Sequence, residues 1–92
     1  MDLDKHREQI LQVAAKHGAG NVRVFGSAAR GTDRAGSDLD LLVQMDADRS
    51  LLDLVALSQD LEELLQRRVD VVTDTAVHPS IRPYILADAR PL

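Results

Sequence analysis

Segments with helical periodicity alternate along the chain with short apolar segments typical of β-strands. The apolar spacing predicts helices at residues 4–17, 27–30, 50–67 and 79–89. Short runs rich in β-branched and aliphatic residues predict strands at 21–25, 39–45 and 68–73. The resulting αβαβαβα order favours an α/β fold with a short sheet of about three strands. Because the link between the first two strands is short, we expect a mixed sheet rather than an all-parallel one.

End signals support several of these boundaries. Gly18 follows the first helix as a glycine cap. Ser50 and Asp53 form a capping pair before the longest helix, and Pro79 is predicted in the first turn of the last one. The longest helix has an apolar stripe that we expect to pack on the sheet: Leu51, Leu54, Val55, Leu57, Leu61, Leu64 and Leu65. Leu52 lies off this stripe and leaves room for a homo- or hetero-oligomer interface.

Length and composition predict a single globular domain over residues 1–92, with 45% hydrophobic and 28% charged residues. The absence of cysteine excludes disulfides, thiolate zinc sites and cysteine nucleophiles. No apolar run reaches the roughly 18 residues of a membrane-spanning helix, and the N-terminal residues lack the apolar segment of a secretory signal. We therefore expect a cytoplasmic protein without membrane contact.

The charge balance makes nucleic acid an unfavourable direct ligand. The net charge is −4 and the pI is near 5.2, whereas a protein that binds many backbone phosphates needs a basic face. One Phe, one Tyr and no Trp also leave few side chains on which bases could stack. We expect no direct binding of nucleic acid.

A candidate metal and phosphate site begins at the end of the first predicted strand. Gly26 and Ser27 form a short turn, and after ten further residues Asp38 and Asp40 open the second strand. Side chains at i and i+2 of a strand share a face, roughly 6.6 Å apart along the chain. Paired carboxylates suit Mg²⁺, which prefers oxygen ligands and often binds together with substrate phosphates. The Gly-Ser turn would supply contacts to those phosphates.

Asp70 is the third candidate carboxylate and lies between Val69 and Val71 of the last predicted strand. An aspartate buried among valines would cost several kcal/mol unless it were paired, hydrogen-bonded or bound to a cation. If this strand lies beside the second one, Asp70 completes a cluster with Asp38 and Asp40 that could hold two metal ions. The alternative is that Asp70 is an exposed strand-end residue and that Asp38 only turns the loop.

The order of a Gly-Ser turn, a ten-residue gap, Asp-x-Asp on a strand and a later strand aspartate resembles minimal nucleotidyltransferases of the DNA polymerase β superfamily. The similarity extends across nearly the whole chain. It implies that Gly26 and Ser27 hold the triphosphate and that Asp38 and Asp40 bind two Mg²⁺ ions. It also implies that Asp70 helps to bind metal and to deprotonate the attacking hydroxyl.

The resemblance implies attack of an acceptor hydroxyl on the α-phosphorus of a nucleoside triphosphate, with release of pyrophosphate. Arg30 would steady that pyrophosphate. Many relatives have an arginine directly after the serine, whereas this chain has Ala28, which predicts one phosphate contact fewer. The positioning and charge neutralisation that phosphoryl transfer requires match these residue types.

The small size is similar to that of stand-alone antitoxins encoded beside HEPN-domain ribonuclease toxins, which implies ATP as substrate and AMP transfer to a tyrosine of the toxin. Two alternatives remain. The first is a binding-only antitoxin that inhibits its partner by occlusion, and the second is nucleotidyl transfer to a small molecule or an RNA end. Substitution of the Asp38 carboxylate separates catalysis from occlusion.

Four other residues are interpreted structurally. The three histidines, His6, His17 and His78, lie on or near predicted helix ends, where exposed or capping roles are more common than metal ligation. Tyr84 is predicted to pack against the core from the last helix, with self-modification as the alternative.

Overall fold

The computed structural model of the protein describes residues 3–26, 29 and 38–92, with side chains from residue 5 onward. Its elements, in chain order, are α1 (Leu3–Lys16), β1 (Ala19–Phe25), β2 (Leu39–Met45), α2 (Leu51–Leu65), β3 (Val69–Thr73), a 3₁₀ turn (Asp74–Ala76), α3 (Arg82–Asp88) and β4 (Arg90–Pro91). The brief helix predicted at 27–30 falls largely outside the described residues.

Four strands form a mixed sheet in the order β3-β2-β1-β4, which confirms the predicted α/β class. Strand β1 pairs antiparallel with β2 and with β4, whereas β2 and β3 run parallel. The sequence analysis missed β4, because a strand of two residues is too short to show any periodicity. Parallel pairing of β2 with β3 uses α2 as the crossover, as parallel strands require.

The main core lies between one face of the sheet and the two longer helices. On strand β2, Leu39, Leu41 and Val43 share one face and are each at most 1% exposed, and Leu42 on the other face is also buried. Ile10 of α1 and Leu57 of α2 pack into the same cluster and are completely buried. This burial fixes the orientation of β2, since a shift of one residue would turn its apolar side chains away from the helices.

Two of the predicted helix-end signals are present, although the longest helix ends at Leu65, before the predicted end near Arg67. Gly18 follows α1 with φ +76°, a left-handed backbone conformation that glycine adopts without steric cost. At the start of α2, the Asp53 carboxylate accepts a hydrogen bond from the Ser50 backbone N–H at 3.0 Å, so the predicted capping pair is present. The C-terminal cap of α2 is Gln66 with φ 56°.

The three histidines lie on or near helix ends, as expected, and His17 also contacts a second helix. Its Nε2 lies 2.6 Å from Oδ2 of Asp60, which connects the end of α1 to the middle of α2. His6 contacts Gln9 within α1, and His78 Nδ1 accepts a hydrogen bond from the Ser80 backbone N–H. All three make side-chain contacts within the protein.

The prediction that the whole α2 stripe packs on the sheet is wrong at its N-terminal end. Leu57 and Leu61 are buried, but Leu51 is 73% exposed and Val55 is 45% exposed. Leu54, Leu64 and Leu65 are partly buried against the same core, so the stripe packs on the sheet without Leu51 and Val55. Leu52, off the stripe, is 79% exposed.

Two predictions about the last helix are also wrong. Pro79 lies before the helix, in a turn where the His78 carbonyl accepts from the backbone N–H groups of Ile81 and Arg82 at 3.1 Å. The helix itself begins at Arg82, with a proline in its first turn. Tyr84 is 75% exposed rather than packed in the core, and no residue of this helix is buried.

Candidate active site

Strand β2 places two predicted site residues on the face of the sheet opposite the main core. Leu39 and Leu41 point into the core, so alternation directs Asp40 to the other face, where it is half-buried. Asp38 directly precedes the strand, and its side chain is 43% exposed. The two carboxylates are two positions apart along the chain and therefore lie toward the same face of the sheet, as the sequence analysis predicted.

Strand β3 brings Asp70 beside this pair. The parallel register aligns Asp40 with Asp70 and Leu39 with Val69, so neighbouring positions on adjacent strands share a face. Adjacent strands lie about 4.8 Å apart. The sheet therefore brings Asp70 next to Asp40, the arrangement that the sequence analysis required for a cluster of three carboxylates.

Asp70 is not buried among the valines of β3, so the exposed alternative is correct as far as its burial is concerned. Its side chain is exposed, whereas the preceding Val69 is 2% exposed. β3 is an edge strand, and only one of its faces packs on α2, so a residue between two valines can still point into solvent. Asp70 therefore needs no counter-charge to offset burial, and its place in the candidate site depends on the register alone.

Gly26 closes the site from the end of β1. Phe25, the last residue of β1, is aligned with Asp40 in the antiparallel register. Gly26 has φ +71°, and a Cβ atom built on it would lie 2.5 Å from Oδ2 of Asp40. A side chain at this position would be strained by the backbone conformation and would require the Asp40 carboxylate to move. Ser27 and Arg30, the other predicted nucleotide-binding residues, lie outside the described residues.

The described carboxylates share a face without forming a preassembled metal cluster. In the described ranges, no group of three or more His, Cys, Asp or Glu side chains is arranged to hold a metal ion. Mutual repulsion favours separate positions for neighbouring carboxylates. Their oxygens are nevertheless the ligand type that Mg²⁺ prefers, and the register places Asp38, Asp40 and Asp70 at one end of the parallel strand pair. The residue types present therefore suit Mg²⁺, although their side chains are not arranged around a common point.

The sequence analysis did not single out Arg68, which lies beside these carboxylates. Its Nε is 4.0 Å from Oδ1 of Asp38, and its side chain is 82% exposed. The Arg68 carbonyl accepts a hydrogen bond from the Leu39 N–H at 2.9 Å, which extends the β2–β3 ladder by one residue. The available signal was its position two residues before Asp70, which gives both side chains the same parity along the strand.

A groove of about 360 Å³ runs between α2 and β3 and reaches Asp70. Ser58 and Glu62 of α2 lie along it and bond to the backbone of Val69: Ser58 Oγ donates to its carbonyl at 2.9 Å, and Glu62 accepts from its N–H at 3.0 Å. These contacts hold the start of β3, and therefore Asp70, at a defined position relative to α2.

Among the helices of the described residues, none has the length and apolar character needed to cross a bilayer.

Comparisons with known sequences identify the family of the chain. Residues 5–92 match the family described as nucleotidyltransferase domain. The chain is 39% identical over 89 residues to a Methanocaldococcus jannaschii protein named "putative protein adenylyltransferase", covering 97% of this chain and 96% of that protein. It is 33% identical over 86 residues to the protein adenylyltransferase MntA of Thermococcus cleftensis, covering 94% and 84% respectively.

Solved structures share the fold. One described as a "putative minimal nucleotidyltransferase" has a TM-score of 0.88 at 48% identity, covering 100% of this chain and 97% of that one. A toxin–antitoxin structure with AMP-PNP has a TM-score of 0.79 at 20% identity, covering 91% and 69%. A complex of tri-AMPylated Shewanella oneidensis HEPN toxin with MNT antitoxin has a TM-score of 0.75 at 15% identity, covering 98% and 71%. The family match over nearly the whole sequence confirms the predicted resemblance: the chain belongs to the nucleotidyltransferase domain family.

Proposed function

We propose that this chain is a magnesium-dependent protein adenylyltransferase that acts as the antitoxin of a HEPN-type ribonuclease. It transfers AMP from ATP to a hydroxyl of that partner, a tyrosine in the simplest case, and so neutralises it. The observation that supports the chemistry is the register of β2 and β3, which aligns Asp40 with Asp70 and leaves Asp38 on the same face. The supporting comparisons are the relatives named as protein adenylyltransferases.

In this proposal residues 1–92 form one minimal nucleotidyltransferase domain, and the acceptor protein brings its own hydroxyl to the site. Asp38, Asp40 and Asp70 would hold two Mg²⁺ ions. When bound, these ions would neutralise charge on the triphosphate and on the pyrophosphate that leaves. Gly26 allows the backbone to approach Asp40 closely, and Ser27 and Arg30 are proposed to contact the phosphates.

The proposed reaction is a nucleophilic substitution at the α-phosphorus of ATP. The acceptor oxygen forms a bond to the α-phosphorus while the bond from that phosphorus to the bridging oxygen of the β-phosphate breaks. The hydroxyl proton passes to the Asp70 carboxylate, which is exposed and lies at the edge of the sheet, where an incoming protein can reach it. Pyrophosphate leaves, and AMP remains on the acceptor.

The test uses ATP labelled either at the α-phosphate or at the γ-phosphate, incubated with Mg²⁺, this chain and the purified HEPN-type partner. We expect only the α-label to remain on the partner, together with a mass gain of one or more AMP units by intact mass spectrometry. The doubly substituted variant Asp38→Asn, Asp40→Asn should transfer nothing. The matched control is Asp46→Asn, Asp48→Asn, which removes the same charge from the exposed turn at the other end of β2.

Two other results would contradict parts of the proposal. An unchanged partner mass, with a stable complex and an inhibited ribonuclease, would establish inhibition by occlusion instead. Labelling of a small molecule or an RNA end in place of the protein would correct the acceptor class. Retention of the γ-label would indicate phosphorylation and would exclude AMP transfer.

A further inference from the structure

We propose that Arg68 binds the triphosphate chain of the nucleotide, an inference that rests on the proposed function. The residue lies outside the Gly-Ser and Asp-x-Asp motifs, and the structure alone brings it to the site. Its role would be to supply a permanent positive charge, carried by the protein itself, beside the three carboxylates.

Arg68 lies beside the candidate metal ligands. The hydrogen bond from the Leu39 N–H to the Arg68 carbonyl holds the backbone of Arg68 in line with β3. Alternation along that strand then gives Arg68 and Asp70 the same face, and the guanidinium lies 4.0 Å from the Asp38 carboxylate. Arg68 therefore lies at the same end of the parallel strand pair as the candidate metal ligands.

The Arg68 side chain is exposed and only loosely paired with Asp38. An N···O separation of 4.0 Å exceeds the range of 2.7–3.2 Å for an ordinary hydrogen bond, so Arg68 and Asp38 attract each other without a formed hydrogen bond. The Arg68 side chain is 82% exposed. Arg23 and Arg49 differ, since they bond to Asp74 and Asp53 respectively. Arg68 can therefore turn its donors toward a ligand at little cost.

The site with a bound triphosphate would carry an excess of negative charge. Three carboxylates and a triphosphate together bring more negative charge than two divalent cations neutralise, so the bound state favours an additional cation. A guanidinium presents planar, paired donors that match phosphate oxygens, and charge-assisted bonds of this kind are roughly twice as strong as neutral ones. Arg68 is the arginine that the described residues place beside Asp38.

A purely structural role for Arg68 predicts different behaviour. If the residue only neutralised Asp38, its removal would strengthen Mg²⁺ binding at the carboxylates, because a competing positive charge would be gone. The affinity for phosphate chains would then stay the same or rise. A phosphate-binding role predicts the opposite, a loss of affinity for any ligand with a triphosphate chain, whether or not a nucleoside is attached.

The experiment measures dissociation constants by calorimetry for inorganic tripolyphosphate and for a non-hydrolysable ATP analogue, both with Mg²⁺. The variants are Arg68→Ala and Arg68→Lys. The control is Arg90→Ala, which removes the same charge from the exposed surface of β4 at the opposite edge of the sheet. Melting temperatures of all variants establish that each is folded, as the exposure of both side chains leads us to expect.

We expect Arg68→Ala to raise the dissociation constants of both ligands about tenfold, which is the effect expected when one charge-assisted hydrogen bond is lost. Arg68→Lys should recover part of this loss, since lysine keeps the charge and loses the paired geometry. Arg90→Ala should match the unsubstituted protein within about twofold.

Equal binding by Arg68→Ala and Arg90→Ala would overturn the role of Arg68 and leave the proposed function intact. Weaker binding of the ATP analogue with unchanged binding of tripolyphosphate would also overturn it, because Arg68 would then contact the nucleoside and not the phosphates. If the unsubstituted protein binds neither ligand, the proposed nucleotide substrate is wrong, and the inference about Arg68 fails with it.

Discussion

The two ends of the β2–β3 strand pair each contain an aspartate near an arginine, but the two pairs differ in geometry. At the carboxyl end, Asp74 lies 2.5 Å from Arg23, and both side chains are about 15% exposed. Its second oxygen accepts from Gln44 Nε2 at 3.0 Å. At the amino end, Asp38 is 4.0 Å from Arg68, and the two side chains are 43% and 82% exposed.

This difference separates a structural carboxylate from a candidate functional one. Asp74 is neutralised by a bonded arginine of the same protein, so it is satisfied in the fold as it stands. Asp38 lies in a more solvated place beside other carboxylates, which favours an exchangeable cation or ligand over a permanent partner. Substitutions at the two ends should therefore separate effects on stability from effects on activity.

Among the single substitutions considered below, the largest effect is expected from Asp70→Asn. If Asp70 holds metal and accepts the proton, the rate of AMP transfer should fall by about 10²–10³-fold, the size found for losing one preorganised electrostatic group in a transition state. The melting temperature should stay the same or rise, because the side chain is exposed and its charge is repelled by Asp40. Radiolabel transfer and thermal melting measure the two quantities. An active variant would remove Asp70 from the site.

Gly26→Ala tests the close approach of Gly26 to Asp40 at the amino end of the strand pair. A left-handed conformation costs a non-glycine residue roughly 1–2 kcal/mol, and the new Cβ would meet Asp40 Oδ2 at 2.5 Å. We expect both lower stability in urea and a transfer rate reduced by about tenfold or more, since displaced groups in a site cost rate steeply.

Gly20→Ala is the matched control for Gly26. An added Cβ at Gly20 would meet no atom within 4 Å. Its stability should therefore change by no more than about 0.5 kcal/mol, as is usual at surfaces, and its activity should stay the same. If both substitutions had equal effects, the close approach to Asp40 would not be the cause.

Asp74→Ala should produce the reverse pattern at the other end of the sheet. Removing the partner of a half-buried arginine is expected to cost about 1–3 kcal/mol of unfolding free energy. AMP transfer per folded molecule should be unchanged. Urea denaturation measures the loss, with the exposed Asp48→Ala as a control of equal charge. A collapse of activity in a folded Asp74→Ala variant would contradict the division between the two ends.

The smallest effect is expected at Asp53, a carboxylate stabilised mainly by the backbone. The hydrogen bond from the Ser50 N–H lowers the pKa of Asp53, and the nearby Arg49 guanidinium lowers it further. A pKa lowered by folding adds stability that is fully present above the unfolded value of about 3.9 and lost as the pH falls through the folded value.

Urea midpoints of Asp53→Asn measured against pH test this sign. We expect the variant to be slightly less stable than the unsubstituted protein at pH 7, with the difference shrinking below about pH 4. Glu63→Gln, on the exposed side of the same helix, controls for the change in net charge. A difference that grew on acidification would contradict the capping role of Asp53.

Most of the fold was predictable because its elements have strong local signals. The strand at Leu39–Met45 was predicted with the bounds that the structure has, since its apolar run is long and its flanks are polar. The Gly18 and Ser50 caps are local effects of backbone geometry and were predicted correctly. The errors at Leu51, Tyr84 and Pro79 concern how far one element extends over another, which periodicity does not report.

For the candidate site, the sequence by itself determined the residue types and their parity along each strand, since alternation in a strand is a local property. It therefore placed Asp38 and Asp40 on one face. Only the tertiary structure decided that β3 lies parallel to β2 in a register that aligns Asp70 with Asp40 and brings Arg68 toward Asp38. The physical reason is that pairing between strands distant in sequence depends on how α2 packs across the sheet, and that packing is a property of the whole core.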